Sequence, residues 1–150
     1  VQQSGGFGVT VTDFQRLTLP SDRFVVEPPG GDVLVAMPTN IYALSDPVQL
    51  SASSLGEDVD VAATPESWTF DFGDGLVIGP TVDPGGAYPV LTNSHAYHNA
   101  GTFQVRVTTT YSGRYRVQDG PWSDIDGTAT VTSAPVIVTA HTATTQLTGD

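Results

Sequence analysis

Apolar and polar residues alternate along this chain in short runs, and no stretch keeps a helical period. Phe7, Val9 and Val11 alternate with Gly8, Thr10 and Thr12. Val33 and Val35 flank Leu34, and Val48, Leu50 and Ala52 alternate with Gln49 and Ser51. Val59 and Val61 follow Asp58 and Asp60, and Phe103, Val105 and Val107 alternate with Gln104, Arg106 and Thr108. Two late strands are expected at 129–132 and 136–140. Valine and threonine dominate these runs, and both suit a half-buried pleated surface. Pro28-Pro29-Gly30-Gly31, Asp46-Pro47, Asp83-Pro84-Gly85-Gly86 and Asp119-Gly120-Pro121 punctuate them as turns or linkers. The pattern predicts an all-β fold in three parts. An N-terminal arm and linker covers 1–31, a sandwich 32–140, and a polar tail 141–150. Within the arm, 6–19 reads as a strand. It either pairs within its own sandwich or adds to the open sheet edge of a neighbour, the second making a homo-oligomer or surface fibre.

The most informative segment is Trp68-Thr69-Phe70-Asp71-Phe72-Gly73-Asp74-Gly75. Its three large rings sit at period two, so they share one strand face, and that face is expected to be core. Thr69 and Asp71 point the other way. Gly73, Asp74 and Gly75 end the strand in a turn, where the Asp74 carboxylate can accept backbone N–H bonds. Some twenty residues later, His95-Ala96-Tyr97 leads through a turn to Gly101-Thr102-Phe103 and the strand carrying Val105 and Val107. Those two valines are expected to face the three rings across the sandwich.

These two blocks resemble the PKD family. Its members carry an aromatic strand running into Phe-Gly-Asp-Gly, then His-x-Tyr, a Gly-Thr-aromatic turn and an alternating valine strand. The likeness covers 46–110, with Phe70 standing where the family usually has tryptophan. The flanking Tyr111-Ser112-Gly113-Arg114-Tyr115-Arg116-Val117 and Asp126-Gly127-Thr128-Ala129 are similar to PKD-containing exported proteins of actinobacteria. The resemblance implies an Ig-like antiparallel β-sandwich in a secreted or cell-surface setting. It implies a non-catalytic role in spacing, adhesion or binding of protein or polysaccharide. It also makes Asp71, Asp74 and Asp83 candidates for a weak calcium site, since calcium takes six to eight oxygen ligands. The alternative is that Asp74 satisfies turn amides and Asp71 sits on the sheet face, with no cofactor.

Composition narrows the partners. Sixteen acidic residues face five arginines, there is no lysine, and the net charge is −11. Such a surface repels phosphate backbones and anionic lipid, so neither nucleic acid nor membrane insertion is expected. No apolar run approaches the roughly 18 residues of a bilayer span. With no cysteine, disulfides and thiolate metal sites are excluded. With no lysine, cross-links through a lysine amine are excluded too. His95 and His98, three apart on a strand, would chelate poorly, and no nucleophile, zinc-helix or phosphate-loop motif points to an enzyme. Val1 opens a polar stretch, which fits a processed mature form. Trp122, after Gly120-Pro121, and Tyr115, which lies with Tyr111 on the preceding arm, are candidate ligand-binding aromatics that could stack on a sugar or anchor a protein; the alternative is that Trp122 folds back to cap the sandwich.

Overall fold

The computed structural model describes residues 8–54 and 57–143. Its elements are α1 (Val11–Gln15), β1 (Phe24–Glu27), β2 (Asp32–Leu34), β3 (Pro38–Ala43), β4 (Val48–Ser54) and β5 (Glu57–Asp71), then β6 (Val77–Thr81), β7 (Ser94–Ala96), β8 (Gly101–Val117), β9 (Ser123–Thr132) and β10 (Val136–His141). A small sheet has the order β1-β3-β7, and a large sheet the order β2-β10-β8-β5-β4 with β6 on β5 and β9 on β8. Pairing is antiparallel except for β2 on β10, which is parallel. The expected Ig-like β-sandwich is the fold.

The spine is the pair β5 and β8, 15 and 17 residues long. β8 alternates without a break, with Val105, Val107, Thr109 and Tyr111 all buried. β5 does not. Val59, Val61 and Ala63 face inward, then Trp68, Phe70 and Phe72 do. Pro65 pairs with Tyr111 and Ser67 with Thr110, which leaves Glu66 as an extra residue. A bulge of this kind absorbs one residue, so the odd and even sets share one face. What reads in sequence as two strands of opposite parity is one strand.

Two cores lie along that face. The first holds Trp68, Phe70, Phe72, Val105 and Val107 against Ile41, Ala43 and Tyr97, which come from the small sheet and its exit. Here the expectation for the valines is corrected. Val107 pairs with Phe70 inside the large sheet, so the valines are neighbours of the rings and not their partners across the sandwich. The ring-bearing strand itself is core, as expected, with Phe70 and Phe72 fully buried.

The second core holds Val59, Val61, Ala63 and Tyr111 beneath Phe14 and Leu19. The N-terminal arm therefore differs from the strand expected over 6–19. Val11–Gln15 form a short helix because Thr10 and Asp13 make a reciprocal cap: Thr10 Oγ1 accepts the Asp13 N–H at 3.1 Å, and Asp13 Oδ2 accepts the Thr10 N–H at 3.0 Å. The cap overrides the strand tendency of Val9 and Val11, and it aims Phe14 at the sheet. Gly113 makes room for that ring, since a Cβ there would lie 2.8 Å from Phe14 Cζ. Tyr111 Oη donates to the Pro20 carbonyl at 2.8 Å, and Gln15 Nε2 to the Thr128 carbonyl at 3.0 Å. Residues 8–20 thus cover this chain's own sheet. Phe24–Glu27, assigned to the arm by sequence, pairs with β3. His141, assigned to the tail, closes β10 and lies 2.8 Å from Asp32 Oδ1. Phe7 and the tail beyond residue 143 fall outside the described residues.

Phe70→Ala and Phe14→Ala each empty a fully buried ring site, in the first and second core respectively. Each is expected to lower the unfolding free energy by about 3–5 kcal/mol in denaturant titrations. A Phe14→Ala variant as stable as the parent would show that the arm does not seal the second core.

Candidate functional site

The residues singled out by sequence separate into two places. The first is the turn after β5. Asp71 Oδ1 accepts the Gly73 N–H at 2.9 Å, and Asp74 Oδ1 accepts the Leu76 N–H at 3.2 Å. Gly73 has φ +84°, and a Cβ there would lie 2.5 Å from the Gln104 carbonyl oxygen, so the turn needs glycine. His95 Nε2, on β7 of the small sheet, donates to Asp74 Oδ2 at 2.6 Å. Its ring sits edge-on between Phe72 and Tyr97, with centroids 5.2 and 5.1 Å away. Tyr97 Oη donates to the Phe72 carbonyl at 2.7 Å, and its ring stacks on Phe103 at 4.3 Å. Gly101 opens β8 after the separate turn that follows Tyr97. The cluster is a clasp between the layers, with β7 holding the end of β5.

Electrostatics follow from that geometry. Burial pushes the Asp74 carboxyl up, but the bonds from His95 and the Leu76 N–H outweigh it and leave the carboxyl below the ordinary value of 3.8. Burial, with the charges of Asp74 and Asp71, pushes the Tyr97 phenol up to about 12. Asp83 Oδ1 accepts the Gly85 N–H at 2.9 Å in a separate turn. Among the described residues no three His, Asp or Glu side chains are gathered where they could hold a metal ion. Asp71, Asp74 and Asp83 each close a turn of their own.

The second place is the outward face of β8 and its neighbours. Trp122 is half-buried, with the Arg116 guanidinium 4.9 Å from its ring centroid and that of Arg114 at 5.9 Å. Arg116 Nε donates to Asp60 Oδ2 at 2.8 Å, and Ser51 Oγ donates to Asp60 Oδ1 at 3.3 Å. Tyr115 does not join this patch. It pairs with Val61 in register and packs on the second core, on the opposite face of the sheet. The arginines and Asp60 were not singled out by sequence. Arg114-x-Arg116 and Asp58-x-Asp60 are both period-two pairs, and their pairing across strands would have pointed to them. The same face carries hydroxyl pairs, Thr108 with Thr132 at 2.9 Å and Thr110 with Thr130 at 3.3 Å.

An Ig-like sandwich whose layers are clasped by Asp74, His95 and Tyr97 after an aromatic strand is the arrangement that the two sequence blocks encode. The model of the PKD domain matches residues 32–112, more than half of the chain, and the chain belongs to that family. Among curated proteins and among solved structures nothing matches. PKD domains are in general extracellular adhesion or binding modules, without catalysis of their own. No helix among the described residues is long and apolar enough to cross a membrane.

Two outcomes are expected here. Because the folded Asp74 carboxyl is depressed, its contribution is in place above 3.8 and is lost as pH falls through its folded value. Asp74→Asn should therefore flatten the acid limb of a melting-temperature profile taken from about pH 5 to about pH 2. Millimolar calcium should leave the parent's melting midpoint unchanged, because a ligand raises it only by binding the native state. A clear rise, lost in Asp71→Asn with Asp74→Asn, would instead establish a calcium site.

Proposed function

We propose that this chain is a non-catalytic binding module, secreted or at the cell surface, that holds polysaccharide on the outward face of its large sheet. The observation that carries this reading is the half-exposed Trp122 ring braced by Arg114 and Arg116. An indole held in place offers a sugar's C–H face a flat apolar surface at little cost in side-chain freedom. Beside it Arg116 pairs with Asp60, which also holds the Ser51 hydroxyl, and threonine hydroxyl pairs continue along the same face; such groups can both donate to and accept from sugar hydroxyls. Spacing between neighbouring modules and adhesion fit the same surface. Strand addition by the N-terminal arm draws no support from residues 8–20, which cover this chain's own sheet.

Affinity electrophoresis through gels containing soluble polysaccharides tests the proposal. Retardation by at least one polymer is expected, weakened about tenfold in Trp122→Ala, as for other anchoring aromatics. The same change should alter stability by about 1 kcal/mol or less, since the ring lies outside both cores. Equal retardation of parent and variant would sink the reading.

A further inference from the structure

The small sheet carries a groove that the polysaccharide face does not use. It encloses about 300 Å³ between the end of β1, the start of β3 and the loop before β7. Pro28, Pro38, Met37, Tyr88 and Leu91 form its walls, and Glu27 is the one charged residue among those lining it. Tyr88 and Met37 are 73% and 55% exposed, far more than such side chains need to be.

Glu27 is held from one side. Its Oε1 accepts from Asn40 Nδ2 at 2.9 Å and from the Tyr88 N–H at 2.9 Å. Asn40 is only 2% exposed, and Nδ2 also donates to the Gly86 carbonyl at 2.9 Å. The carboxylate is therefore fixed in position by a buried amide, and the 84–91 loop is tied to it. Glu27 Oε2 takes no hydrogen bond from any described residue. The groove thus combines an oriented carboxylate with one free oxygen, apolar walls and an aromatic ring.

We propose that the groove binds a lysine side chain presented by a protein partner. A lysine stem is apolar and can lie along the prolines, Met37 and Leu91, while its ammonium reaches the carboxylate. Cations also favour an aromatic neighbour such as Tyr88. Arginine suits the site less, because its planar fork seeks both carboxylate oxygens and Oε1 is already taken twice. A neutral sugar suits it less as well, because its hydroxyls also need donors. Asn40 Nδ2 is engaged twice, and among the described side chains that line the groove only the Tyr88 hydroxyl remains as a donor. The net charge of −11 favours a cationic partner from a distance. These 150 residues contain no lysine, so the occupant is not a second copy of them.

The test is an NMR titration of the full 150-residue chain with Nα-acetyl-lysine methylamide. Its readouts are the Tyr88 and Gly86 amide signals. Saturable shifts are expected in the millimolar range, and the Nε-acetylated analogue should give none. Glu27→Gln keeps an Oε1 acceptor for both Asn40 and Tyr88, so the fold should persist. Affinity should fall about tenfold or more, as loss of a charge-assisted bond implies. Tyr88→Ala removes an exposed wall and should weaken binding with the spectrum otherwise unchanged. Trp122→Ala should leave the lysine titration as it is, which separates this site from the polysaccharide face. Several results would overturn the proposal: no saturable shift, equal binding by the acetylated or arginine analogue, a neutral trisaccharide that binds the groove in preference, or undiminished affinity in Tyr88→Ala. If Glu27→Gln fails to fold, the acetylated analogue and Tyr88→Ala still decide.

Discussion

The ladder between β5 and β8 runs from Val59 opposite Val117 to Asp71 opposite Arg106. Among the described residues no other strand contributes to both cores, so the remaining elements are arranged around this pair. At one end β6 and β10 flank the spine and the small sheet covers it. At the other end β4 and β9 flank it and the N-terminal segment is the cover. The bulge at Glu66 is the condition for this. Without the extra residue, a strand that buries Trp68, Phe70 and Phe72 would turn Val59, Val61 and Ala63 to solvent. One residue out of step lets a single strand serve both cores.

The clasp at Asp74 acts at right angles to that ladder. Face-to-face sheets are held mainly by non-directional apolar burial, which tolerates sliding. The bonds from His95 to Asp74 and from Tyr97 to the Phe72 carbonyl are directional, and both run from the small sheet to the end of β5. They fix how far one layer can shift over the other. Their residues are the ones that give the family its pattern. In this chain the residues of that pattern form a geometric lock between layers.

This division explains what could be read from sequence and what could not. The strict alternation from Phe103 to Thr109 and the three rings ending in Gly73 gave strand, face and turn directly. The clasp was legible through its motif, although its bonds were not. The helix at Val11–Gln15 was hidden because one side-chain cap at Thr10 and Asp13 outweighed the strand pattern around it. The continuity of β5 was hidden because a bulge reverses parity, and parity is what a strand reading counts. Whether Val105 and Val107 lie beside the rings or across from them depends on strand order, which alternation does not encode. Of the candidate site, Trp122 was visible as an isolated aromatic after a turn. Its arginine braces come from the paired strand, and Tyr115 went astray because its neighbour in sequence faces the other way. Glu27, Asn40 and Tyr88 lie far apart in the chain, and only the fold brings them together.

The family match stops at residue 112, in the middle of β8. The physical unit does not stop there. Tyr111, inside the match, donates to the Pro20 carbonyl outside it. Gly113, just beyond, lacks the side chain that would collide with Phe14. Ile125 and Ala129 on β9 complete the second core with Val59 and Val61, which lie within the match. A chain cut at the borders of the match would keep half of that core and lose its lid, leaving an apolar sheet face in water. The module here is better described as a PKD sandwich whose longest strand, β8, runs on past the match to Val117. The segments flanking the match cover the apolar face that β5 and β8 present at that end, which would otherwise lie in water. The part of β8 beyond the match carries Arg114 and Arg116, and Trp122 follows it. The matched residues thus supply the clasp and most of the first core, which Val138 and Ala140 of β10 complete. The candidate polysaccharide surface belongs chiefly to the extension.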